Sequence, residues 1–104
     1  MDQRIIDFIN GHHLLTLATS KDNIPYCSNA FYVFDAQNKS LIFSSDITTK
    51  HAQDFIVNPK VAASIVLETK IVKKIQGVQL LGDIIELKGE DLEKVTQQYL
   101  KGFP

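Results

Sequence analysis

The chain has 104 residues, a hydrophobic fraction of 44%, a charged fraction of 22% and a formal net charge of −1. That is the size and composition of one globular domain, which buries roughly two-thirds of its unfolded surface, and the near-neutral charge excludes a nucleic-acid binder held by bulk electrostatics. A single cysteine, Cys27, excludes an internal disulfide, and no signal-peptide pattern or apolar run of about 20 residues is present, so a cytoplasmic protein without a membrane partner is expected.

Ile5, Ile6, Phe8 and Ile9 fall at helical spacing, and Asn10-Gly11 ends that helix. His13 to Thr19 reads as a strand rich in Leu and Thr, and Lys21-Asp22-Asn23 as a turn. Tyr26 to Phe34 reads as a second strand, with Tyr26, Ser28, Ala30, Tyr32 and Phe34 on one face and Cys27, Asn29, Phe31 and Val33 on the other. Asp35 to Lys39 is a polar turn, which predicts a hairpin with a third strand from Leu41 to Ser45. Thr48 or Thr49 then caps a helix to about Val57, with Ala52, Phe55 and Ile56 as its buried stripe and Asn58-Pro59 as its stop.

Val61 to Leu67 is almost continuously apolar, which predicts a strand buried on both faces. Ile71 to Leu87 is long for one strand, and Gly77 and Gly82 inside it suggest a bulge, a bend or a close backbone approach. A last helix, from about Glu90 to Leu100, carries Leu92, Val95 and Tyr99 on one side. Hairpin-connected strands without βαβ alternation predict a mainly β protein with peripheral helices, a small antiparallel barrel.

The chemistry concentrates between Ser44 and His51. Ser44, Ser45 and Thr49 offer hydroxyls, Lys50 offers charge, and the first N–H groups of a helix are unpaired, which together can hold a phosphate. An ordinary helix cap with a solvated Lys50 accounts for the same residues. Adjacent His12 and His13 on a strand point to opposite faces, and residue 55, four after His51, is Phe, so no metal site is expected. Cys27, Ser28 and Ser45 have no recognisable base or nucleophile motif. Asp83, Glu86 and Asp91 read as strand-end and loop charges. Tyr26, Phe31, Tyr32 and Phe34 suit either a barrel core or a stack on a planar ligand.

Phe43-Ser44-Ser45, Thr49-Lys50-His51-Ala52-Gln53 and Asn58-Pro59-Lys60-Val61, in that order, resemble the flavin-phosphate segment of the pyridoxamine 5′-phosphate oxidase-like split barrels. Pro25 to Asp35 resembles the preceding flavin-side strand, and Gln76-Gly77-Val78-Gln79-Leu80-Leu81-Gly82 the following strand that ends in glycine. Asn29 to Asp35, Lys50 to Gln53 and Gln76 to Gln79 are most similar to a little-characterised bacterial subgroup of these proteins.

The resemblance implies a Greek-key split β-barrel that binds flavin mononucleotide (FMN), usually as a homodimer with the flavin in clefts between subunits. Carried over by position, it implies that Lys50, Thr49 and Ser45 hold the FMN phosphate, with His51 as a second, hydrogen-bonding group and Ser44 beside the same groove. It also implies that Asn29, Ala30, Phe31 and Tyr32 line the ring and ribityl chain, and that Gln76 gives a polar contact. Members of the superfamily continue past the region resembling Tyr99 to Pro104 into at least one more strand, so the resemblance implies a shortened member or a fragment with an open barrel edge. The implied activity is oxidoreductase chemistry carried by the flavin on a small molecule, with a non-catalytic flavin-binding sensor or store as the alternative.

Overall fold

The computed structural model describes residues 2–74 and 76–101. Asp2 caps the first helix, α1 (Gln3–Asn10), by accepting a hydrogen bond from the Arg4 N–H at 2.8 Å. Strands β1 (Leu14–Lys21) and β2 (Ile24–Phe31) form a hairpin in one-for-one register, Lys21 opposite Ile24. Its two-residue turn needs positive φ at both central positions, and Asp22 (54°) and Asn23 (64°) supply it, being the side chains after glycine that tolerate this region best.

The expected long second strand is broken after Phe31. Tyr32 still donates its N–H to the His13 carbonyl at 2.8 Å, but Val33–Asp35 leaves the sheet as β3 and pairs with β4 (Ser40–Ile42) in a separate ribbon. Burial drives the break: the Tyr32 ring is 1% exposed, and its hydroxyl donates to the Ile9 carbonyl at 2.6 Å. The predicted hairpin over Asp35 to Lys39 is therefore β3–β4, and β4 stops three residues short of Ser45.

Helix α2 (Lys50–Val57) begins at Thr49, whose hydroxyl accepts from the Ala52 N–H. It leads into β5 (Lys60–Leu67), which pairs antiparallel with both β1 and β6 (Gln76–Asp83). The sheet order is β2-β1-β5-β6, so the ribbon and α2 form the long connection that returns β5 beside β1, a Greek-key wiring. The chain closes with α3 (Gly89–Lys101), giving a mainly β architecture with peripheral helices.

Two expectations change here. β5 is not buried on both faces: Ile65 is buried while Val66 is 57% exposed, because α1, α2 and the ribbon cover only one side of the sheet. The 71–87 segment is not one strand; a single 3₁₀ turn (Val72–Lys74) precedes β6, and the register runs one-for-one through Gly77 and Gly82, without a bulge. Ile75, within that segment, and Gly102 to Pro104 lie outside the described residues.

The core is Ile9, Leu15, Leu17, Tyr32 and Ile65, on the side of the sheet that faces α1, α2 and the ribbon. The opposite side carries Leu14, Val66 and Leu81, 65%, 57% and 91% exposed. Helix α3 has no buried residue; Tyr99 meets the edge of the Phe31 ring, while Leu92 stays exposed.

Burial pushes the Tyr32 hydroxyl up to about 12 from an ordinary value near 10. Tyr32→Phe removes the bond to the Ile9 carbonyl and is expected to cost about 0.5–1.5 kcal/mol at neutral pH by urea unfolding. The proton is held more tightly in the folded state, so the Tyr32 contribution is complete below about pH 10 and declines as pH rises through about 12. The variant should lack that alkaline decline.

Candidate functional site

The turn before α2 collects the polar residues singled out in the sequence. Ser45 Oγ lies 2.9 Å from His51 Nε2, and Thr49 Oγ1 lies 3.3 Å from the same nitrogen. Thr49 donates its hydroxyl proton to the Asp46 carbonyl at 2.7 Å, so it caps the helix and has no proton left for a ligand. The Asp46 carboxylate accepts from both the N–H and the hydroxyl of Thr48, which hold it below the usual carboxylate range. Ser44 is exposed beside Ser45. The N–H groups of Lys50 and His51 belong to the first turn, where a helix provides no partner.

Lys50 is anchored from below. Its ammonium donates to Asp54 Oδ1 at 2.5 Å and stands 5.4 Å from the centre of the Tyr26 ring, within cation–π range. Asp54 is fully buried, and its other oxygen accepts from the Thr19 hydroxyl of β1 at 2.9 Å. The Lys50 side chain is still 48% exposed, so the ammonium meets both the buried carboxylate and solvent.

The β2 residues flank a sheet edge. Asn29 and Phe31 lie on the uncovered face: Asn29 Oδ1 accepts from Thr16 Oγ1 at 2.8 Å, and Phe31 stacks on His13. Ala30 and Tyr32 lie on the core face, and the Tyr32 side chain is committed to the core. Because β2 is the outermost strand, half of its backbone N–H and C=O groups face away from β1 and pair with no strand. Ser28 Oγ, on the core face of β2 with Tyr26, is buried without a partner among the described residues.

Gln76 is not brought to this place. It opens β6 at the opposite edge, three strand spacings or about 14 Å from β2, in a groove lined with Asp2, Arg4, Ile5 and Phe8. His12 and His13 precede β1 rather than alternating within it, and both line a small cavity with Asn10 and Tyr32. His12 Nδ1 donates to the Phe8 carbonyl at 2.7 Å.

Sequence reading missed Asp54, Thr19 and Ser28. The Lys50–Asp54 pair was available from its i, i+4 spacing. Thr19 gave no signal and Ser28 was weighed only as a nucleophile, because a strand hydroxyl becomes informative only when its partners are known.

The arrangement can bind an anion at the start of α2 and a planar, hydrogen-bonding group along the edge of β2. Lys50 first, then the Thr19 hydroxyl, hold the Asp54 carboxyl below its usual range against the opposing effect of burial. That contribution to stability is present above the unfolded carboxylate value of about 3.9 and is lost as pH falls through the lower folded value. Asp54→Asn is therefore expected to be less stable at pH 7 and to lose less stability than the parent between pH 5 and acid, as read by urea midpoints across that range.

The family model for pyridoxamine 5′-phosphate oxidase matches residues 1–102. A UPF0306 protein of Photorhabdus laumondii is 33% identical over 102 residues, covering 98% of this chain and 71% of the relative. The UPF0306 protein YhbP of Salmonella paratyphi C is 38% identical over 92 residues, covering 88% of this chain and 63% of the relative, so the chain spans about two-thirds of the length of such proteins. Two solved structures have the same fold: the haem storage protein HutZ of Vibrio cholerae (TM-score 0.78, 20% identity, 93% of this chain and 71% of that one) and an FAD-binding protein of Mycobacterium smegmatis (TM-score 0.78, 17% identity, 94% and 78%). With its Greek-key sheet, its ribbon and its capped α2 in the order seen here, the chain belongs to the pyridoxamine 5′-phosphate oxidase family and has its split-barrel fold.

Proposed function

We propose that the chain binds FMN and serves as a flavoprotein oxidoreductase of the cytoplasm acting on a small molecule. The observation that carries this reading is the joining of an anion-ready turn, Ser45 with the open start of α2 and Lys50, to the free edge of β2. The residues present fit an FMN phosphate: Ser45, the first N–H groups of α2 and the exposed side of the Lys50 ammonium are available to it. Lys50 would hold the phosphate, with Ser44 alongside. Asn29, Ala30 and Phe31 would flank the ring, whose polar edge is matched by β2 backbone groups that face away from β1. When bound, the flavin supplies the hydride or electron chemistry.

Gln76 opens the edge strand opposite β2, so a homodimer is the arrangement in which it meets that ligand from a second chain. The uncovered sheet face, with Leu14, Val66 and Leu81, supports such pairing. A second reading is a non-catalytic flavin store or sensor of the same fold. It is favoured by the description of relatives of this fold as FAD-binding or haem storage proteins.

Visible absorption of gently purified protein tests the reading: a flavin spectrum is expected, and colourless protein that also fails to take up added FMN would sink it. Flavin that is retained but never reduced by nicotinamide nucleotides or other donors selects the second reading. Lys50→Ala is expected to weaken FMN binding by about 1.5–3 kcal/mol and to leave riboflavin, which has no phosphate, nearly unaffected. For the shared site, Lys50→Ala and Gln76→Ala proteins are each expected to bind FMN poorly. Unfolded and refolded together, they should regain tight binding at one site of each mixed dimer, and no recovery would exclude a site built from two chains.

A further inference from the structure

Ser45 and His51 stand 2.9 Å apart, a separation at which a hydroxyl and an imidazole are commonly read as nucleophile and base. The proton positions around them contradict that role. Thr49 Oγ1 has one proton, and it goes to the Asp46 carbonyl at 2.7 Å. One of its lone pairs accepts from the Ala52 N–H at 3.4 Å, which leaves a lone pair, not a proton, facing His51 Nε2 at 3.3 Å. An unprotonated Nε2 would point its own lone pair at that oxygen. A protonated Nε2 bonds to it, sharing one N–H between Thr49 and Ser45.

We infer that Thr49 fixes His51 as the Nε2–H tautomer, so that His51 donates to Ser45 and leaves the Ser45 hydroxyl proton free to bind a ligand oxyanion. This rests on the flavin reading, in which Ser45 meets the phosphate, and makes His51 the residue that positions the Ser45 donor. Ser45 accepts from His51 through one lone pair, and among the described residues no other acceptor takes its proton. The imidazole cannot withdraw that proton, because the nitrogen facing Ser45 is already protonated. The ring is held in place by Phe55, whose centroid lies 6.1 Å away. Lys50 already shares its charge with Asp54, so an uncharged donor with a fixed direction adds a contact that the lysine does not replace.

The first test needs no flavin. Long-range proton–nitrogen correlation on uniformly labelled wild-type protein at pH 8 reads the tautomer of each neutral histidine. His51 is expected with its proton on Nε2, and a proton on Nδ1 overturns the inference. The second test measures affinities for FMN and riboflavin in four variants. Ser45→Ala and His51→Leu should each weaken FMN binding about three- to tenfold, and the double variant no more than the stronger single, because His51 acts only through the Ser45 donor that it orients. His51→Gln, which keeps an N–H near the Nε2 position, should retain most of the affinity. Riboflavin binding should not change in any of them. Losses that multiply in the double variant, or that appear equally with riboflavin, overturn the inference. Failure of wild-type protein to bind FMN overturns the flavin reading instead and leaves the tautomer result to stand by itself.

Discussion

The buried carboxylate of Asp54 is the joint on which the site depends. A charge with no exposure is costly unless both oxygens are satisfied, and here one meets the Lys50 ammonium while the other meets the Thr19 hydroxyl. Thr19 belongs to β1, and Asp54 lies one helical turn after Lys50. The bond to Thr19 therefore fixes how α2 sits on the sheet, and the bond to Lys50 fixes where the ammonium stands relative to β2. Breaking either contact would leave a charge in the core and free the start of the helix from the strand beside it. The same pair moderates the site: Lys50 presents a cation already partly neutralised from within, so directional donors at the turn share the work of holding an anion.

The sheet edge and the helix start are useful because they adjoin. An edge strand has unpaired backbone groups, and a helix start has unpaired N–H groups; each is a liability in isolation and a binding surface when a ligand covers it. Tyr26 links the two, carrying the Lys50 ammonium over its ring while pairing with Thr19 across the ladder. The uncovered sheet face has the opposite character. It exposes Leu14, Val66 and Leu81 beside polar residues such as Thr16 and Asn29, and among the described helices it is met by the end of α3 at Phe31.

Much of the local structure was legible because its causes are local. The Asp22-Asn23 hairpin turn, the Thr49 cap, the Asn58-Pro59 stop and the alternating faces of β2 follow from backbone preferences and from period-two side-chain placement. The strand break after Phe31 was not legible, because it arises where Tyr32 turns into a core made by Ile9, Leu15 and Ile65 from distant parts of the chain. β5 was misjudged for a related reason. Its composition suits burial on both faces, but whether a second layer covers the far face is decided by the placement of α1, α2 and the ribbon.

The sequence by itself determined the kind of protein: its family motifs, its mainly β pattern, and a hydroxyl-rich turn with Lys50 at the start of a helix. These are properties of neighbours in the chain. Only the tertiary structure decided how those residues divide their hydrogen bonds. It met the second Asp54 oxygen with Thr19 from β1, spent the Tyr32 hydroxyl on the Ile9 carbonyl, and set Gln76 at the opposite edge of the sheet from β2. The physical reason is that a side chain has few donors and acceptors, and which of them remain for a ligand depends on partners that only folding brings within reach.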